Sequence, residues 1–219
     1  DFTEFFIKEK ARIKSIHEHA IEGAEWSDLC AYSEIFKAIR KGFMHFANST
    51  SARYAMLFDT IKSSSGEIKL HANRGVAGID GCTSTAVGHA LTTEENVVLM
   101  SGDVAFLYDI NGLASVQEMP NNIKIIVINN GGGGIFRWLD GPNEVGLLES
   151  YFEAKPKTNI KAASSFCGLT YFCAKDSEGT KMKLDELMNN TGPAILEIVT
   201  DPKISSDVYK KYLKQFQNS

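Results

Sequence analysis

Six short, almost wholly apolar runs, each followed by a stretch with helical spacing, constrain this chain more than any other feature. They read FMHFAN, KLHANRG, NVVLMSGD, IKIIVINN, LTYFCAK and PAILEIVT. A strand that carries apolar side chains on both faces must be covered on both faces, and helices between successive strands make the crossovers that parallel pairing needs. The expected fold is therefore a three-layer α/β/α domain with a mainly parallel sheet. Intervening helices are expected near Ser51 to Lys62, Cys82 to Leu91, Phe106 to Val116, Ile160 to Phe166, Lys183 to Asn190 and Ser205 to Gln217. Residues 1–42 show no strand pattern. Phe5, Phe6, Ile7, Ala11, Ile13, Ile16 and Ala20 recur at roughly helical spacing, and Ser27 is placed to cap a second helix through Leu29, Tyr32, Ile35, Phe36 and Ile39. The organisation predicted is a helical lead-in over 1–42 and one α/β domain over 43–219.

Several classes drop out. Formal charge is −4 with scattered Lys and Arg, so no basic surface awaits nucleic acid or an anionic membrane. No apolar run approaches the roughly 20 residues of a membrane helix. DFTEFFIKEK has neither the basic start nor the apolar core of a signal peptide, and its opening in mid-pattern suggests a piece of something longer. Cys30, Cys82, Cys167 and Cys173 lack metal-type spacing and are expected to be reduced thiols of a cytoplasmic protein. His17, His19, His45, His71 and His89 are scattered along the chain and call for no special chemistry. Glu4, Glu9, Glu18, Glu22, Glu25 and Glu34 read as solvated helix faces.

In sheets of this kind, ligands sit beyond the carboxyl ends of the strands. Those ends are ANSTSAR at 47–53, ANRGVAGIDG at 72–81, SGDVAF at 101–106 and NNGGGGIF at 129–136; the later ends, CAKDSEG and VTDPK, look ordinary. Asp103 follows Gly102 at a strand end and precedes a helix, whose free N–H groups favour an anion. A carboxylate beside a bound anion needs a cation between them, and Mg²⁺ takes oxygen ligands from one or two side chains together with phosphate. The Asn129-Asn130 pair offers a neutral oxygen from the next strand end. Four glycines then open backbone conformations through which a carbonyl can approach the same ion. Singly, Gly-Asp is a turn, Asn-Asn a strand end and the glycines a loop; together they describe a Mg²⁺-diphosphate clamp.

Gly102-Asp103 through Asn129-Asn130 resembles the signature of thiamine diphosphate enzymes. ANSTSAR, NRGVAGIDG and GDVAFLYDINGL with NNGGGGIF further resemble the 2-succinyl-5-enolpyruvyl-6-hydroxy-3-cyclohexene-1-carboxylate synthase branch of menaquinone biosynthesis, over about residues 43 to 140. The resemblance implies a thiamine diphosphate-binding fold. It implies that Asp103, Asn130 and the Gly132 carbonyl hold Mg²⁺ or Mn²⁺, and that Asn48, Gly78, Ile79, Gly102, Val104, Ala105 and Ile135 also contact the cofactor. Val104 and Ala105 depart from the usual signature, and contact at Ala105 would have to be through backbone N–H. Ile79 would wedge beneath the bent cofactor, with the Gly78 carbonyl facing its amino group.

For substrate, the resemblance implies decarboxylation of 2-oxoglutarate and addition of the four-carbon unit to isochorismate. Arg53 and Arg74 would bind carboxylates by bidentate hydrogen bonds; for an arbitrary arginine the ordinary role is a surface ion pair. Ser49 would add a neutral donor, and Ile135, Phe136 and Leu139 an apolar wall. The family's activating glutamate comes from a pyrimidine-binding domain of a neighbouring subunit, and no such motif occurs here. The chain is thus expected to be the C-terminal domain of a homo-oligomeric enzyme, without its N-terminal pyrimidine-binding and central domains, and inactive alone. Two other readings share some of these features: a 2-oxo acid decarboxylase or acetohydroxy acid synthase type, and a non-catalytic α/β assembly or nucleotide-binding module. Neither GxGxxG nor GxxxxGK[ST] is present to favour the nucleotide reading.

Overall fold

The computed structural model describes residues 1–62, 68–153, 155–156 and 159–217. Six strands, β1 (Gly42–Phe46), β2 (Ile68–Ala72), β3 (Val97–Gly102), β4 (Ile123–Asn129), β5 (Thr170–Ala174) and β6 (Ala194–Val199), form one sheet. Their order is β2-β1-β3-β4-β6-β5, and every pairing is parallel. The chain steps outward from β1 to β2 and then returns to the other side of β1. The order therefore reverses between β1 and β3, which is where such sheets open a crevice.

The apolar runs became strands because their alternate residues feed two separate cores. Val98 and Met100 of β3 and Ile126 and Ile128 of β4 face α2 (Asp28–Ala38), α3 (Thr50–Lys62), α9 (Ser177–Asn189) and α10 (Pro202–Gln217). Val97, Leu99, Ile123, Ile125 and Val127 face α4 (Cys82–Ala90), α5 (Asp103–Tyr108), α6 (Asn111–Ala114) and α8 (Ile160–Phe166). Helix α7 (Asp140–Glu144) lies between a 3₁₀ turn at Gly134–Trp138 and a π turn at Leu148–Phe152. Among the described residues, no helix is long and apolar enough to cross a membrane. Lys124, the one charged residue of β4, is buried and donates from Nζ to the carbonyls of Asn121, Asn190 and Gly192, tying together the loops that precede β4 and β6.

The two N-terminal helices differ. Helix α1 (Phe2–Glu22), capped by the Asp1 carboxylate, leaves Phe5, Phe6 and Ile7 exposed and buries His17. Helix α2 lies inside the first core, with Leu29, Ala31, Tyr32, Ile35 and Phe36 buried. Ser27 stands at its N-cap as expected, but its hydroxyl points to the Cys30 thiol instead of a helix N–H.

Three local expectations are corrected. The helix expected from Phe106 to Val116 is two short helices, because buried Asp109 turns away to accept hydrogen bonds from Ser84 N and Oγ, both at 2.7 Å. Glu34 is buried and pairs with Lys37 and Lys181, so it is not a solvated residue. The histidines are not all isolated. Adjacent strands and α4 gather three of them, with His45 Nε2 2.7 Å from His89 Nδ1 and the His45 ring stacked on His71 at 4.9 Å.

Candidate cofactor and metal site

Because every strand is parallel, the motif-bearing ends converge on one edge of the sheet. Between them lies a cleft of about 530 Å³. Asn48, Ser49, Ile79, Gly102, Asp103, Val104, Ala105, Gly132, Ile135 and Phe136 line it, together with Phe152 and Glu153. Ile79 packs on Ala47, Cys82 and Ala105 at the cleft floor.

Asp103 opens α5 and is 1% exposed. Its Oδ1 accepts the Val104 N–H at 2.9 Å, so that N–H is already engaged by protein. Its Oδ2 is buried without a hydrogen-bond partner. Burial pushes the carboxyl up to about 7, with the charge of nearby Asp28 adding to the effect and the Val104 N–H opposing it. Asn130, at the end of the adjacent strand, is also buried. Its Nδ2 donates to Asp28 at 2.9 Å, while its Oδ1 has no partner. An orphaned buried oxygen is costly, commonly about 1 to 3 kcal/mol, and two of them at neighbouring strand ends form a donor set suited to a hard cation. The site fits Mg²⁺ on these atoms alone.

The glycine run supplies the rest of the cradle. Gly131 and Gly132 have φ of 80° and 141°, where a side chain would be strained. A Cβ on Gly132 would also meet the Glu153 carbonyl. The Gly132 carbonyl accepts from Gly134 N at 2.9 Å, and Gly133 N donates to the Glu153 carbonyl. Glu153 itself is buried and ion-paired with Arg137, whose second contact is Glu149 at 2.9 Å. This pairing fixes the turn that closes the cleft and neutralises the second carboxylate along its wall.

The other proposed residues are more dispersed. Arg53 and Arg74 line a smaller neighbouring cavity of about 240 Å³ beside His71. Each reaches the main cleft through one hydrogen bond: Arg53 donates to the Ser49 carbonyl, and Arg74 donates to Asn48 Oδ1, both at 2.8 Å. Gly78 lies beside the cleft, and its carbonyl accepts from Asn48 Nδ2. Leu139 is 50% exposed and does not line the cleft, although its N–H donates to the Phe136 carbonyl at 3.4 Å. Ser49 and Ala77 hold φ of 73° and 63°, the two non-glycine residues with positive φ among those described, and both lie in motif loops.

Sequence reading missed Asp28, Thr200 and Ser205. Thr200 follows β6 in a segment that looked ordinary, yet its Oγ1 donates to Asp28 Oδ1 at 2.6 Å, and Ser205 Oγ donates to the same oxygen at 3.1 Å. An isolated Asp at a helix start carries no signal that it will meet a residue 102 positions away.

Comparison with known proteins agrees with this geometry. The family described as "Thiamine pyrophosphate enzyme, C-terminal TPP binding domain" matches residues 55–198. The chain is 38% identical over 205 residues to the 2-succinyl-5-enolpyruvyl-6-hydroxy-3-cyclohexene-1-carboxylate synthase of Christiangramia forsetii, covering 93% of this chain and 35% of that protein. The synthase of the same description from Flavobacterium johnsoniae is 38% identical over 193 residues, covering 87% of this chain and 34% of that one. The chain thus spans about a third of the length of these curated relatives. The crystal structure of benzoylformate decarboxylase from Polynucleobacter necessarius superposes with a TM-score of 0.65 at 14% identity, covering 83% of this chain and 34% of that one, a likeness of fold.

Proposed function

The chain belongs to the thiamine pyrophosphate enzymes, as their C-terminal cofactor-binding domain, and from that premise we propose that it is the Mg²⁺- and diphosphate-holding part of a 2-succinyl-5-enolpyruvyl-6-hydroxy-3-cyclohexene-1-carboxylate synthase acting in menaquinone biosynthesis. The reaction is decarboxylation of 2-oxoglutarate with addition of the four-carbon unit to isochorismate. The observation that carries the reading is the pair of orphaned buried oxygens, Asp103 Oδ2 and Asn130 Oδ1, at adjacent strand ends. The choice of branch rests on the named relatives at 38% identity.

Asp103, Asn130 and the Gly132 carbonyl would hold the cation, Mg²⁺ or Mn²⁺. When bound, thiamine diphosphate supplies the electron sink for loss of CO₂ from a 2-oxo acid. Ile79, which lines the cleft, would support the cofactor. Ile135 and Phe136 keep water from the reacting face, where exclusion strengthens every charge interaction. Arg53 and Arg74 draw substrate carboxylates to the neighbouring cavity, with Ser49 between the two spaces.

The activating glutamate comes from a pyrimidine-binding domain of a neighbouring subunit in a homo-oligomer of the cytoplasm. The 219-residue chain by itself is then expected to have no synthase turnover. Calorimetric titration of the full-length enzyme with Mg²⁺ at saturating thiamine diphosphate tests the clamp. Asp103→Ala is expected to abolish measurable Mg²⁺ binding, and an unchanged isotherm would refute the assignment.

A further inference from the structure

The two asparagines that end β4 are held differently. Asn129 is committed at both ends of its amide: Nδ2 donates to Glu197 Oε1 at 2.6 Å, and Oδ1 accepts from Gly131 N at 3.2 Å. Asn130 is committed at one end, its Nδ2 donating to Asp28 Oδ2 at 2.9 Å while Oδ1 faces no protein donor. Which end of a carboxamide points into a site decides whether it can ligate a cation, since an NH₂ group has no lone pair to offer a metal.

We infer that Asp28, at the start of α2, is the positioning residue that turns the Asn130 carboxamide so that its oxygen faces the cation clamp. Burial raises the Asp28 pKa, and the hydrogen bonds from Thr200, Asn130 and Ser205 oppose that rise; with Oδ1 taken by two hydroxyl donors, Oδ2 is left as an acceptor, which pairs with the NH₂ end of an amide and repels the carbonyl end. A reversed Asn130 would set two acceptors face to face in a buried site. Asp28 is itself immobilised. Its Oδ1 accepts from Thr200 Oγ1 at 2.6 Å and Ser205 Oγ at 3.1 Å, and its backbone N–H donates to Ser205 Oγ at 3.0 Å. It is 2% exposed, so water offers Asn130 no competing partner. The clamp is therefore aimed by a residue outside the matched family region, 55–198, and outside every motif that marks the site.

This inference rests on the Mg²⁺ reading of Asp103 and Asn130, and its test keeps the two apart. In the full-length enzyme, Mg²⁺ affinity at saturating thiamine diphosphate is measured by calorimetry, alongside the melting temperature without ligands. The proteins compared are the parent, Asp28→Asn, Asp28→Ala, Ser205→Ala and Asp103→Ala. Asp28→Asn keeps the volume but can turn its own NH₂ toward Asn130. It is expected to weaken Mg²⁺ binding about 10- to 100-fold, the range for partners that orient metal ligands. Ser205→Ala removes a donor to the far oxygen and the acceptor of the Asp28 N–H while leaving the Oδ2 contact with Asn130 in place, and is expected to lower the melting temperature with Mg²⁺ affinity unchanged.

Asp28→Asn with parental Mg²⁺ affinity, while Asp103→Ala loses binding, would overturn the inference and leave the clamp standing. Mg²⁺ affinity that falls in step with melting temperature across the Asp28 and Ser205 variants would also overturn it, since Asp28 would then be structural only. Parental binding in Asp103→Ala would remove the clamp itself, and this inference with it.

Discussion

Acid should unfold this protein in part through His17. The ring is 3% exposed, 2.8 Å from the Tyr212 hydroxyl and edge-on to Phe58 at 4.8 Å, so α1, α3 and α10 meet around it. Burial pushes its pKa down to about 4, against a slight opposing pull from Glu18. An unfolded histidine titrates near 6.5, so between those values the unfolded chain binds the extra proton and stability falls as pH falls. The full difference, about 2.5 pKa units, is worth about 3 kcal/mol below pH 4, and about 2 kcal/mol of it is already lost by pH 5. His17→Gln retains a hydrogen-bonding partner for Tyr212 and cannot titrate here. Urea unfolding at pH 7 and pH 5 should show the variant losing about 2 kcal/mol less than the parent between the two pH values. Other titrating groups are common to both proteins and cancel in the difference. If the variant and parent lose equal stability, burial does not keep His17 neutral and the reasoning fails.

Replacing Lys124 with Met should lower stability by about 3 kcal/mol, because three carbonyls from two loops lose a charged donor in a buried site; a melt within a degree of the parent would contradict this. Ala77→Gly relieves a φ of 63° at an exposed position and should raise stability by up to about 1 kcal/mol, read as a higher urea midpoint; a lower midpoint would count against strain there. Arg53→Ala and Arg74→Ala should each raise the Michaelis constant for a carboxylate substrate of the complete enzyme at least about tenfold while leaving cofactor affinity near parental. Equal losses of both would place the arginines in the cofactor cleft instead.

The strands were legible because a sheet covered on both faces leaves unbroken apolar runs, and those ends located Asp103 and Asn130. Local pattern could not show that Asp109 breaks the following helix, because its partner, Ser84, is a tertiary contact. Nor could it show that His45, His71 and His89 meet, since β1, β2 and α4 bring them together only after the sheet forms. Asp28 was hidden for the same reason. Its role is defined by an amide and two hydroxyls brought from distant parts of the chain.

The placement of α2 bears on how this domain can be moved between proteins. The family pattern begins at residue 55, and β1 at Gly42 would look like a natural cut. A piece swapped from there would leave behind Leu29, Tyr32, Ile35 and Phe36, uncovering the part of the core that α2 shares with α3, α9 and α10. It would also lose Trp26, whose Nε1 donates to the Val199 carbonyl at 3.1 Å. The portable unit starts no later than Trp26, and chimaeras joined downstream of it should be insoluble before they are inactive.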